Sequence, residues 1–455
     1  MNKETEIKLR ASRETLAALR DHPLLKKRNK SGWQRHELFN QYFDTADRDL
    51  ARARVALRIR RDGEQFIQTL KSRGQSVAGL SERNEWDWYL DKPKLDPKKL
   101  TDECWPAALA DLDKKRLKPL FTTDFVREKA EIAWGRGKAR VVIEAALDLG
   151  KVVAGKQQEE ICELELELRE GEPAALLELA VELARDLPLM PCDISKAERG
   201  YRLFDAGSYA VQLPLPIIQP DTTVDAALTA LAWHLLGTSQ RLAEQYRFNG
   251  HWKLLEDWLH QLTDLRALLS SAGQAIPRTS SHELRERLDT LLDRWQPVIA
   301  DGASDESVRR QAPALFAETL SDPSWGYLSL MLSHWLFVQG WTQGRNARGN
   351  KQGQAPLAAW LHRQLGEEIA ALPLERYAQQ QPEDLSEQLP RIQRLLVWLR
   401  LARSVLDVPE TDRLYGELDK LAHLARAPRD EAVLEARREQ ALHVQSLRAW
   451  KALKP

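Results

Sequence analysis

Cysteine is scarce in this 455-residue chain: Cys104, Cys162 and Cys192 are the only three, far apart and without metal-ligand spacing. That argues against a disulfide framework and fits a reducing compartment, so the cytoplasm is the expected location. Long hydrophobic runs are missing as well. No stretch of 18 or more apolar residues occurs, and the N-terminus reads as a charged strand in place of a basic region followed by an apolar one. Neither membrane spanning nor secretion is expected. Net charge is lacking too: 67 lysines and arginines balance 67 aspartates and glutamates. Nothing global draws such a protein to nucleic acid or to an anionic membrane, so any basic site must be local.

What is present is an ordinary globular mixture, 43% hydrophobic and 29% charged, in a chain too long for a single core. Up to about residue 205 apolar residues alternate with period two, the mark of antiparallel strands. From about Thr222 onward they recur at three and four spacings, as in Ala227, Leu228, Leu231, Leu235 and Leu395, Leu396, Leu399, Leu401, the mark of helices. Between them, residues 211–220 carry Pro214, Pro216 and Pro220, which disfavour helix interior and central strand alike. The expected organisation is an α+β protein with an antiparallel β barrel and flanking helices over residues 1–205, a proline-rich linker over 206–221, and an all-α bundle over 222–455. Asp221, Thr222 and Thr223 offer an N-cap for its first helix. Helices of the first half are expected at 12–20, 97–118 and 173–185.

The strands alternate in an unusual sense. Glu4, Glu6, Lys8 and Arg10 share one face of the first strand, with Thr5, Ile7 and Leu9 on the other. Taken alone, the segment also reads as an exposed helix with favourable i,i+4 pairs. Recurrence decides for strands. Glu163, Glu165 and Glu167 alternate with Leu164, Leu166 and Leu168; Arg140, Glu144 and Asp148 share a face in 139–149; Arg54, Arg58 and Arg60 alternate with Val55, Leu57 and Ile59; Arg127, Lys129 and Glu131 repeat the theme. Lys71 ends a short strand, and Arg83, Glu85 and Asp87 lie on another. If the apolar faces pack outward, the charged faces line the lumen of a closed barrel. Burying so many charges costs several kcal/mol each, only partly offset by pairing, so a ligand is implied.

Arginines and lysines converging from several strands suit a polyanion, and carboxylates are hard oxygen ligands for Mg²⁺ or Mn²⁺. Both together fit phosphoryl transfer, where positioning and electrostatics supply the catalysis. The opening Glu4-x-Glu6-x-Lys8, the Tyr42-Phe43-Asp44-Thr45 stretch ahead of Leu57-Arg58-Ile59-Arg60, Lys71, Glu85, Glu163-x-Glu165-x-Glu167 and Ser195-Lys196-Ala197-Glu198-Arg199-Gly200-Tyr201 together resemble the CYTH, or triphosphate tunnel metalloenzyme, superfamily. The resemblance covers about residues 1–205. It implies an antiparallel tunnel barrel, dependence on Mg²⁺ or Mn²⁺, and triphosphate substrates. It assigns Lys8, Arg58, Arg60, Lys71, Arg127, Arg140, Lys196 and Arg199 to the phosphates. Glu4, Glu6, Asp148, Glu163 and Glu165 fall to metal, with Glu167 as an alternative ligand one step along. Glu6, Lys8, Arg58, Lys71 and Glu85 become the catalytic set.

The leading expectation is an inorganic triphosphatase converting tripolyphosphate to pyrophosphate and phosphate. The alternatives are a class IV-type adenylate cyclase, a thiamine or nucleoside triphosphatase, or a non-catalytic polyphosphate-binding adaptor. The helical half resembles the CHAD domain that often follows a CYTH domain, which implies polyphosphate or protein contact. The basic helix of that family survives only as His260-Gln261-Leu262-Thr263-Asp264-Leu265-Arg266. Residues 344–353 read as a flexible basic surface loop. Trp233, Trp252, Trp258, Trp335 and Trp398 read as core.

Overall fold

The computed structural model describes residues 2–454 except 73, 78, 136–139, 209, 210, 212, 380, 381 and 429. Ala139 of the expected 139–149 strand and three residues of the expected linker therefore lie outside the described residues.

Among the described residues ten strands form in the first half: β1 (Asn2–Arg10), β2 (Gln34–Asp44), β3 (Ala56–Asp62), β4 (Gln65–Lys71), β5 (Gln75–Val77), β6 (Leu80–Leu90), β7 (Lys118–Trp134), β8 (Val141–Ala154), β9 (Gln157–Glu170) and β10 (Met190–Pro191). Eight of them close into an antiparallel barrel in the order β1-β9-β8-β7-β2-β3-β4-β6, with β6 returning to β1. β5 adds to β6, and β10 to the end of β1. Five helices accompany them: α1 (Arg13–Asp21), α2 (Pro23–Arg28), α3 (Asp49–Arg52), α4 (Ala174–Ala184) and α5 (Lys196–Phe204).

Register carries the charged faces into one lumen. Glu6 stands opposite Glu167 and Lys8 opposite Glu165 across β1 and β9. Glu144 faces Glu167, and Asp148 faces Glu163, across β8 and β9. The alternate residues Ile7, Leu9, Ile143, Leu147, Leu164 and Leu166 point outward, where they are buried with Leu16 and Leu19 of α1 and Leu176, Leu179 and Leu183 of α4. Each buried leucine contributes roughly 1.5–3 kcal/mol, which offsets the desolvation of the lumen charges.

At one end the lumen-facing residues are apolar. Leu38, Tyr42, Phe121, Phe125, Val152 and Ile161 pack on Ala197 and Tyr201, so α5 closes that end. The Ser195–Tyr201 motif explains how. Ser195 Oγ accepts from the Glu198 N–H while Glu198 accepts from the Ser195 N–H, a capping box that fixes the helix start. A Cβ at position 200 would lie 2.1 Å from the Phe121 ring, so only glycine permits the approach. The Tyr201 hydroxyl donates to Asp44 at 2.8 Å, and the Asp44 carboxylate also accepts the backbone N–H groups of Thr45, Leu50 and Ala51. Asp44 of the Tyr-Phe-Asp-Thr stretch thus ties the β2 turn to α5.

The helices expected at 12–20 and 173–185 are α1 and α4, but no helix spans 97–118. Three single 3₁₀ turns, Pro97–Lys99, Ala107–Leu109 and Lys114–Arg116, replace it. The Asp96 and Asp113 side chains cap two of them, and Trp105 and Leu109 fill a core against Leu57, Ile59 and Leu70.

The chain divides into two compact units: Met1–Gln212 with Gln240–His251 and Arg309–His334, and Leu213–Ser239 with Trp252–Val308 and Trp335–Pro455. The first unit therefore takes in two segments from beyond the expected linker. The rest of the second half is helical from α6 (Val224–Asn249) onward, with Thr223 Oγ1 accepting from the Ala226 N–H at its start. In the second unit Trp258 packs edge-on against Trp295 at 5.5 Å and Trp360 against Trp398 at 5.4 Å, all four buried. Trp233, Trp252 and Trp335 are only partly buried. The expected loop at 344–353 is instead mostly a short helix, Ala347–Gly353, capped by Asn346 and anchored by the Arg345 fork on buried Asp225 at 2.7 and 3.0 Å. Among the described residues no helix is long and apolar enough to cross a membrane.

Candidate active site

The lumen holds a cavity of about 750 Å³. Of the residues expected at the site, Glu4, Glu6, Lys8, Arg58, Arg60, Lys71, Glu85, Arg127, Glu165, Glu167 and Lys196 all line it. Asp148 and Glu163 sit one layer behind, fully buried. Two expected phosphate ligands are not brought in. Arg140 is exposed and precedes β8, beyond a bulge between Val142 and Ile143 where the alternation no longer holds. Arg199 is fully buried on α5 against Glu163 and does not line the cavity; burial, with Arg10 nearby, pulls its guanidinium down to about 9.

The carboxylates form two groups. Oxygens of Asp148, Glu163 and Glu165 converge within 4.8 Å, a spacing that could hold a metal ion. The Lys196 ammonium sits among them, 2.6 Å from Asp148 and 2.9 Å from Glu165, and it also contacts Glu163. Lys8 lies 2.8 Å from Glu165, and Arg127 binds Asp148 through two nitrogens at 2.6 and 2.7 Å. Burial alone would raise these acids, but Lys196, Lys8 and Arg127 hold Glu165 well below the usual carboxylate range, and Arg127 and Lys196 hold Asp148 low. This group is already neutralised.

The second group has cations of its own. Glu6, Glu167 and Glu144 stand side by side on β1, β9 and β8, and Glu4 lies one step along β1. Their partners are Lys71 at 2.6 Å from Glu4, Lys8 at 3.4 Å from Glu6, half-exposed Arg169 at 2.5 Å from Glu167 and 3.1 Å from Glu144, and Lys129 at 3.8 Å from Glu144. Burial first, then Glu4, Glu144 and Glu6, push the Glu167 carboxyl up to about 8. Carboxylates are hard oxygen donors of the kind that hold divalent cations.

A stability prediction follows. A carboxyl that keeps its proton to about pH 8 in the folded chain, yet releases it at about 4.3 when unfolded, removes stability as pH rises through that window. Glu167→Gln should therefore raise the Tm of metal-free protein by a few degrees at pH 8 and by little at pH 5. Equal Tm changes at both pH values, in chelator-treated protein, would refute the assignment.

The cations are arranged differently. Arg58 reaches only to 3.6 Å from Glu85, and Lys71 lies 3.3 Å from it. Arg60 donates to Asn40 Oδ1 at 2.9 Å, and burial with Arg58 and Arg127 lowers its guanidinium to about 10. Among the described residues, neither Arg60 nor lumen-lining Arg83 takes part in an ion pair. Burial would raise the Tyr42 phenol, but Arg58, Arg60 and Lys196 together hold it below its ordinary range.

Residues 2–201 match the family profile of the CYTH domain. They are a CYTH domain. An inorganic triphosphatase of Haemophilus influenzae is 32% identical over 166 residues, 36% of this chain and 46% of that protein, so the match spans about half the relative's length. A Hippeastrum protein described as an adenylyl cyclase with dominant triphosphatase activity shares 23% identity at a TM-score of 0.32, covering 46% of this chain and 97% of its own. A Bacillus halodurans protein described as an adenylate cyclase shares 25% identity at a TM-score of 0.25, covering 40% and 92%.

The CYTH lumen also contains groups that sequence reasoning did not assign to the site: His36, Tyr42, Asp62, Thr69, Arg83, Asp87, Lys129, Glu144, Arg169 and Ser195. Lys129, Glu144 and Arg83 were within reach, since each continues an alternation already recognised. Arg169 extends the Glu163–Glu167 series by one more step. Asp62 likewise follows Arg58 and Arg60 on β3, whereas His36 gave no such signal, because the lumen face of β2 is mostly uncharged.

Proposed function

We propose that the CYTH domain is a metal-dependent inorganic triphosphatase: tripolyphosphate and water give pyrophosphate and phosphate, with a proton released to solvent near neutral pH. The observation that carries this reading is the meeting in one cavity of a cation-rich wall, in which Arg60 and Arg83 have no carboxylate partner among the described residues, with the carboxylates of Glu4, Glu6, Glu144 and Glu167, where burial and the neighbouring acids push Glu167 up to about 8. A triphosphate with a divalent ion satisfies both at once. The name of the Haemophilus relative supports the same substrate class.

In this reading Arg58, Arg60, Arg83, Lys71 and Arg127 bind and orient the phosphoryl groups, their guanidinium forks matching pairs of oxygens. Lys8 and Lys196, held by carboxylates on the same side, place positive charge where the transferred group gains negative charge. Glu4, Glu6 and Glu167, with Glu144 alongside, would hold the metal, in preference to the Asp148–Glu163–Glu165 group that Lys196 already fills. A bound Mg²⁺ or Mn²⁺ supplies charge neutralisation and a polarised water. Glu85, between Arg58 and Lys71, keeps both cations aimed at the cavity. The helical half, compatible with a CHAD module by its composition and order, is assigned a separate contact with polyphosphate or protein.

Turnover of tripolyphosphate, ATP and thiamine triphosphate measured side by side with Mg²⁺ and Mn²⁺ tests the proposal. We expect tripolyphosphate to exceed the organic substrates by at least about tenfold in kcat/KM. A strong ATP preference, or release of cyclic AMP, would overturn it.

A further inference from the structure

We propose that His36, oriented by Asp62, is a further substrate-binding residue at the open end of the lumen, adding a positive contact to the outermost phosphoryl group only while its imidazole is protonated. The inference rests on the triphosphatase reading above.

Both residues line the cavity. His36 Nδ1 lies 3.2 Å from each oxygen of Asp62, with the side chains 28% and 31% exposed. Asp62 is the last residue of β3 and stands opposite Leu38. His36 is the third residue of β2 and stands opposite Arg127. Both therefore lie at the strand ends remote from α5. The next lumen residue inward on β3 is Arg60, whose only partner among the described residues is Asn40. With Nδ1 engaged by the carboxylate, Nε2 has no protein partner among the described residues and is left for a ligand.

The chemistry sets His36 apart from its neighbours. Guanidinium groups stay charged and bind phosphate at any ordinary pH. A neutral imidazole that donates through Nδ1 presents a lone pair at Nε2, which repels a phosphate oxygen; the protonated ring presents an N–H instead. The charged groups around the ring are Asp62, Arg60 on β3, and Arg127 and Lys129 on β7. Among the described residues His36 is the only histidine in the lining.

KM and kcat for tripolyphosphate should be measured at saturating Mg²⁺ from pH 5.5 to 8.5 for the full-length protein, His36→Gln and Asp62→Asn. Relative to His36→Gln, the unaltered protein should show a KM lower by about fivefold at the acid end, the gain of one partly exposed ionic contact, converging at the alkaline end, with kcat within about twofold. Asp62→Asn should move that limb to lower pH and so decides the matter even if His36→Gln folds poorly. Substrate ionisation and Glu167 are common to all three proteins and cancel. An unchanged KM profile in both variants, or a fall in kcat with KM unmoved, overturns the inference alone. Failure of the unaltered protein to hydrolyse tripolyphosphate at any pH overturns the functional reading with it.

Discussion

Glu6→Gln is expected to cut tripolyphosphate turnover by at least about 100-fold, the scale of losing one preorganised electrostatic contact, and to weaken Mn²⁺ binding in parallel. Glu6 is buried on the lumen face of β1, opposite Glu167 and within reach of Lys8 and of Ser81 Oγ at 3.3 Å. Glutamine keeps its shape and its contact with Ser81 but removes a charge from the acidic wall. Two effects then combine: the divalent ion loses an anionic ligand, and Lys8 loses one of the two carboxylates that hold its ammonium charged. Calorimetric titration with Mn²⁺ beside steady-state kinetics separates them. Metal affinity and turnover both within twofold of the unaltered protein would remove Glu6 from the site.

Glu244→Ala is expected to destabilise the first unit by about 3–5 kcal/mol, the cost of leaving buried charge unpaired, and to lower its Tm by about 10 °C. Glu244 is buried, and accepts from Arg10 Nε at 2.8 Å and from Arg247 at 2.9 Å, with Arg202 at 3.5 Å. Its removal takes from Arg10, Arg202 and Arg247 one of the two carboxylates, Glu159 and Glu244, around which they gather. A chain ending at residue 205 carries the same defect, because it keeps Arg10 and Arg202 and discards Glu244. Burial would raise the Glu244 carboxyl, but Arg10 and Arg247 hold it well below the usual range. A depressed carboxyl stabilises the fold above its unfolded pKa of about 4.3 and loses that contribution as pH falls below it. The gap in Tm between unaltered protein and Glu244→Gln should therefore be wide at pH 7 and shrink progressively as pH falls below about 4. A Glu244→Ala Tm within a degree of the unaltered protein would show the network to be dispensable.

How far the sequence spoke for the structure differed by element. Period-two alternation marks a strand face wherever both faces contrast, so β1, β9 and the lumen positions Glu4, Glu6, Lys8, Arg58, Arg127 and Glu165 were legible. Alternation fails at a bulge, and that is where Arg140 was misplaced. It is also silent where a lumen face is uncharged, as on β2, so His36 could be found only once β3 was seen beside it. The Ser195–Tyr201 motif could be recognised but not apportioned: Ser195 caps, Lys196 reaches in among the carboxylates, Gly200 allows close packing, and Arg199 turns to a buried carboxylate. Nor could spacing reveal that Lys196 would fill the Asp148–Glu163–Glu165 group, since that depends on a helix entering the barrel from a distant part of the chain. The same limit hid Glu244, which the long interval from Arg10 conceals.

Among the described residues, closure of one barrel end by α5 makes the lumen a well with Ser195, Lys196 and Ala197 at its base. Whatever enters past Arg169 and His36 must leave past them. Substrate and products then share one doorway, and a product lodged near the rim detains anything released deeper down. The order in which the two products depart is thus a property of the architecture as much as of their affinities.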